Sequence, residues 1–221
     1  MRFLAYIMLF CFPVYSFAQY NSGTSYFDST SYVEYIAGDL PIILSAPHGG
    51  YVEPANIPDR NCSGCSYIRD SYTQELVREL KDALYNRTGC YPHVVINLLH
   101  RKKLDANRDI IEAADSNVIG EAAWFAYHNF INTARSTLNA NYNQGLCVDM
   151  HGHGHSIQRL ELGYRLSKTE LQLPDSTLNF EPSTIERLVA NNLNNHILST
   201  LVRGTESFVA LCENRGYPSV P

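Results

Sequence analysis

The chain has 221 residues, a formal charge of -5, 45% hydrophobic residues and 18% charged residues. That length fits one α/β domain or two small ones, and the apolar share is enough for a packed core, which excludes wholesale disorder. The acidic balance argues against a nucleic-acid binder, which needs a basic excess to neutralise phosphates. The only long apolar run lies at the N-terminus, which argues against a helical transporter.

Met1-Arg2 supplies a short positive end, Phe3 to Val14 an apolar stretch, and Ser16-Phe17-Ala18 the small-x-small pattern of a signal-peptidase site. Residues 1–18 are therefore expected to be a signal peptide. Residues 19–221 are expected to be one secreted domain, extracellular or periplasmic, with no stable membrane insertion. Export turns the remaining cysteines, Cys62, Cys65, Cys90, Cys147 and Cys212, toward pairing. Cys62-Ser63-Gly64-Cys65 sits in a Gly/Ser/Asn stretch, so a local disulfide is expected there rather than a redox motif or a zinc knuckle.

Residues 19–31 read as a loose lead-in and 32–36 as a short edge strand. Residues 40–45, a continuous β-rich apolar run, predict a buried strand that ends at Ala46-Pro47-His48-Gly49-Gly50. A loop follows over 51–67. Helical spacing then runs from Asp70 to Tyr85, with Tyr72, Leu76, Leu80 and Leu84 on one side. Residues 94–99 predict a second buried strand. Ser116 is placed to cap a helix over 117–138. Residues 146–150 predict a third strand, ending at His151-Gly152-His153-Gly154-His155. A fourth strand is expected over 160–166, a helix capped by Ser183 over 184–201, and a last helix over 207–214. Strands alternating with helices predict an α/β layered sheet.

The chemistry-bearing residues fall just past the strands, where open α/β sheets place their ligands. His48 leaves the first buried strand into a Gly-Gly turn. His151 leaves the third, with Asp149 two residues before it. Neutral imidazole is the commonest metal ligand, and Asp149 is placed to orient a ligand histidine by accepting its second N–H. After the second strand comes Arg101-Lys102-Lys103-Leu104-Asp105-Ala106-Asn107-Arg108-Asp109. An arginine there offers a fork for a carboxylate, and Asp105 and Asp109 read as salt-bridge partners. A catalytic zinc takes three protein ligands and keeps a fourth place for water. His48 and His151 supply two. Glu53, Asp70 and Glu75 are the candidates for the third.

These motifs, in this order, resemble the N-formylglutamate amidohydrolase family, relatives of the zinc carboxypeptidases and aspartoacylases. The resemblance covers about residues 40–221. It rests on Ser45-Ala46-Pro47-His48-Gly49-Gly50, on Arg69-Asp70 with Thr73, Glu75 and Leu76, on Arg101 with Leu104-Asp105-Ala106-Asn107-Arg108, and on Asp149-Met150-His151. It implies an α/β fold with a mixed central sheet and helices on both faces, phosphorylase/hydrolase-like. It implies zinc on His48, Asp70 and His151, with Glu75 the second choice for the acid. The carboxypeptidase relatives carry an acid ligand three residues after the first histidine, where this chain has Tyr51. Asn107 and Arg108 match the pair that grips a substrate carboxylate, and Arg101 matches a residue that holds substrate or stabilises the oxyanion.

The activity so implied is amide hydrolysis of a small acidic N-acyl amino acid, so the expected partner is a small molecule bearing a carboxylate. The family's catalytic glutamate lies on a strand later than Pro221, and Pro218-Ser219-Val220-Pro221 reads as a turn leading onward. The chain is thus expected to be C-terminally incomplete and to lack its general base, Glu161 being the best substitute present. Two other readings remain open: an exported, inactive relative that binds zinc or carboxylates, and a zinc carboxypeptidase-like peptidase.

Overall fold

The computed structural model describes residues 20–221. The expected signal peptide, residues 1–18, lies outside the described residues. The chain divides into two compact units, the first ending at His153 and the second covering Gly154–Pro221.

The first unit is a mixed α/β layer. Its five strands are β1 (Ser25–Phe27), β2 (Val33–Ile36), β3 (Ile42–Ala46), β4 (His93–Asn97) and β5 (Leu146–Asp149), in the spatial order β1-β2-β4-β3-β5. β2 pairs antiparallel with both β1 and β4, whereas β3 pairs parallel with both β4 and β5. Alternation along β3 and β4 divides the core. Ile43 and Val95 pack with Ala123, Tyr127, Ala134 and Leu138 of helix α3 (Val118–Tyr142). Leu44, Ala46, Val94 and Ile96 pack with Val77 of helix α1 (Thr73–Thr88). Helices therefore cover opposite faces, as side chains of period two require.

Several local expectations need correction. The 32–36 segment is not an edge strand: β2 is buried throughout, because β1, inside the expected lead-in, pairs along its outer side. Helix α1 begins at Thr73 rather than Asp70, after Tyr72 in a left-handed conformation (φ 67). Its inward residues are Thr73, Gln74 and Val77, while Tyr72 and Leu76 are exposed. Asn117, not Ser116, caps α3, accepting the amides of Ile119 and Gly120. A short helix, α2 (Ile110–Ala114), capped by Asp109, was not expected.

The second unit holds short helices and one small parallel pair. These are β6 (Leu160–Glu161), α4 (Lys168–Leu171), α5 (Asp175–Leu178), α6 (Glu186–Asn191), α7 (Leu198–Arg203), α8 (Phe208–Glu213) and β7 (Ser219–Val220), with β6 pairing β7. The expected helix over 184–201 is two helices. Asn192 breaks it: its amide group donates to the carbonyls of Leu188, Val189 and His196, and its oxygen accepts the His196 N–H at 2.6 Å. Local side-chain bonds of this kind compete with the helical ladder.

Candidate metal centre

Three connections deliver the cluster, and each leaves the carboxyl end of a parallel strand or abuts one. His48 follows β3 by two residues and His151 follows β5 by two. Asp70 lies three residues before α1, and its N–H donates to the His48 carbonyl at 3.0 Å. Two glycines make this convergence sterically possible. A Cβ on Gly50 would lie 2.1 Å from the Leu99 carbonyl oxygen, and a Cβ on Gly152 would lie 3.2 Å from the Asp70 Cβ.

His48 Nδ1 and His151 Nδ1 each lie 3.2 Å from the same oxygen, Asp70 Oδ2. The far nitrogens are held as well. His48 Nε2 lies 2.6 Å from Asp105 Oδ1, and His151 Nε2 lies 2.8 Å from Asp149 Oδ2. Each imidazole thus has a carboxylate at both nitrogens; with Nε2–H donated to Asp105 or Asp149, a neutral ring would turn its Nδ1 lone pair toward Asp70, as a metal ligand must. Without an ion, protons on the two Nδ1 atoms tie the rings to Asp70 Oδ2; a cation could take the place of those protons. Ligand bonds of about 2.0–2.1 Å around a tetrahedral ion give ligand–ligand edges of about 3.3 Å, close to the two 3.2 Å spacings to Asp70 Oδ2. His48, Asp70 and His151 thus form a group that could hold a metal ion.

The charges around the cluster are consistent with that. Burial works to raise the Asp70 pKa, but hydrogen bonds from His151, His48 and the Gly152 amide outweigh it and hold the carboxyl well below the usual range. Asp105 behaves alike: burial opposes ionisation, and the His48 bond with the Arg101 charge prevails. In the metal-free chain the His151 pKa rises to about 9, through its bond to Asp149 first and Asp70 second.

Arg101 closes the network from behind, with Nη1 3.3 Å from Asp70 Oδ1 and Nε 2.9 Å from Asp105 Oδ2. Its guanidinium is thus spent on two carboxylates of the cluster. Asn107 Nδ2 lies 3.3 Å from His151 Nε2, and Asn107 lines a cavity of about 210 Å³ together with Ser45, Tyr127, His128 and Asp149. Arg108 joins no member of the cluster; it is half exposed and pairs with Glu112 at 3.1 Å. Glu75 accepts the Tyr51 hydroxyl at 2.7 Å instead of facing the histidines. Glu53 pairs with Lys102, and Glu161 belongs to the second unit, 2.9 Å from His155.

Cys62 and Cys65 form the expected local disulfide. Their loop wraps Arg60, whose buried guanidinium donates to the carbonyls of Arg101, Glu112 and Ser66. Sequence reasoning missed Arg60 and read Asp105 as scaffold. The position of Asp105, an acid past a third parallel strand on the rim that carries His48, is the signal that could have revealed it. No helix among the described residues is long and apolar enough to cross a membrane. No protein-family model matches this chain, and no curated protein or solved structure matches it either.

Proposed function

We propose that the chain is a secreted, zinc-dependent hydrolase that cleaves the amide bond of a small acidic N-acyl amino acid, on the phosphorylase/hydrolase-like fold that its resemblance to the N-formylglutamate amidohydrolase family implies. One observation carries the reading: two imidazoles turn the same nitrogen, Nδ1, to one Asp70 oxygen while a carboxylate holds each Nε2. A bound zinc ion supplies Lewis acidity and a water whose pKa is lowered toward neutrality. His48, Asp70 and His151 would hold it. Asp105 and Asp149 fix the tautomer of each imidazole and its ring plane. Arg101, closed onto Asp70 and Asp105 through Nη1 and Nε, balances their negative charge and holds both carboxylates in place. Asn107, between His151 and the neighbouring cavity, would orient the substrate. Arg108 can bind a carboxylate only by exchanging Glu112 for it.

A second reading, an inactive exported relative that binds zinc or carboxylates, has its own support. Each carboxylate of the cluster is already committed to a histidine or an arginine, so none is left as a proton carrier. Zinc analysis with amine-release assays on N-formylglutamate and on short peptides separates the readings. Zinc-dependent release from N-formylglutamate is expected. Retained zinc with silence on both supports the binding protein, and preference for peptides supports a carboxypeptidase-like peptidase. A chain that takes up no zinc overturns the proposal.

A further inference from the structure

Four arginines lie on the segments that build the cluster, and three of them are spent. Arg60 donates to three backbone carbonyls. Arg101 is closed onto Asp70 and Asp105. Arg108 pairs with Glu112. Arg69 differs: its Nη1 is buried and has no hydrogen-bond partner among the described residues. A guanidinium presents five N–H donors and no acceptor, and a desolvated one without an acceptor is costly.

Arg69 is also held in place. Its Cζ lies 3.9 Å from the centroid of the Tyr51 ring, a contact with the ring face that leaves the N–H groups unspent. Tyr51 is anchored in turn, its hydroxyl donating to Glu75 Oε1 at 2.7 Å. This accounts for two residues left over from the metal centre. Tyr51, three positions past His48, carries the arginine rather than binding metal, and Glu75 anchors Tyr51. The backbone ties both residues to the ion site. Arg69 immediately precedes Asp70, and Tyr51 follows the turn whose His48 carbonyl accepts the Asp70 N–H at 3.0 Å.

We propose that Arg69, stacked on Tyr51, is the fork that receives the substrate's carboxylate, in place of Arg108. This rests on the proposed function for the word substrate, but not for the anion site itself. Fork geometry suits a planar carboxylate, to which arginine donates two parallel N–H bonds.

The test is calorimetric titration of the full chain with glutarate, both zinc-loaded and chelator-treated, with acetohydroxamate, which chelates zinc but carries no carboxylate, as a probe of the metal alone. Arg69→Met should weaken glutarate about tenfold or more, as expected for a lost charge-assisted bond. It should leave zinc content and acetohydroxamate affinity unchanged. Arg69→Lys should recover only part of the loss, because it keeps the charge without the fork. Tyr51→Leu should weaken glutarate in the same direction by freeing the arginine, and Arg108→Met should have no effect. Unchanged glutarate affinity in Arg69→Met overturns the proposal, and so does loss of glutarate in Arg108→Met alone. Equal loss of glutarate and acetohydroxamate overturns it too, since Arg69 would then act through the metal ligands. Absence of zinc with Arg69-dependent glutarate binding would sink the hydrolase reading and leave the anion site standing. No glutarate binding to the unaltered chain in either state overturns the anion site.

Discussion

Asp105 and Asp149 decide which nitrogen each imidazole offers, so they control affinity without touching the ion. His48→Ala should abolish stoichiometric zinc, read by atomic absorption. Asp105→Ala should retain zinc but weaken it about 10- to 100-fold, the usual cost of losing a carboxylate behind a ligand histidine; competition with a fluorescent chelator measures it. A full-strength site in Asp105→Ala would mean that packing alone fixes the His48 ring. His93 makes a different prediction, about stability. It is 1% exposed, and its Nδ1 lies 2.8 Å from the Tyr35 hydroxyl and 3.1 Å from the Gly38 amide. Desolvation lowers its pKa from 6.5 to about 4. Between those values the unfolded chain binds a proton that the folded chain does not. The contribution is therefore complete above pH 6.5 and is lost as the pH falls through about 4. Its size is on the order of 3 kcal/mol. His93→Asn, which keeps an acceptor near Nδ1, should flatten that part of a urea-stability curve against pH; an unchanged slope would assign the acid loss to the carboxylates.

At the scale of elements, the strands bring the site together and the glycines let them. A Cβ at Gly50 would meet the backbone of Leu98 and Leu99 at 2.1–2.4 Å, where Val52 bridges Leu99. Gly50→Ala should therefore cost about 1–3 kcal/mol and weaken zinc together with stability. Gly163→Ala, with nothing within 4 Å of its Cβ, is the matched control and should be neutral in urea unfolding. Strand-end histidines were legible in the sequence because β3, β4 and β5 are continuous apolar runs, and a run that stops abruptly marks where its polar neighbours must gather. The direction of Asp70 was less legible, since helical spacing drew it into α1 while its backbone is tied to His48. The role of Asp105 was hidden because an acid among arginines reads as a salt bridge whether or not it also holds a histidine. The break at Asn192 was hidden for another reason. It depends on three carbonyls meeting one side chain, a local competition to which apolar periodicity is blind.

For the whole molecule, the division into units sets where a ligand's influence should be felt. All three candidate ligands and both supporting carboxylates belong to the unit that ends at His153. Zinc at a hundredfold its Kd should stabilise that unit by about 2.7 kcal/mol. Hydrogen exchange with and without zinc should show the added protection in β3, β4, β5 and α1, and protection confined to residues 154–221 would contradict it. There is a further consequence of the long sequence separations within the cluster. Asp70 stands 22 positions from His48 and 81 from His151. An ion gripping all three would act as a removable cross-link, closing two successive loops of the chain at a single knot. Its ligands meet only once those loops have closed, so the ion should be gripped late in folding, and stripping it should speed unfolding more than it slows refolding.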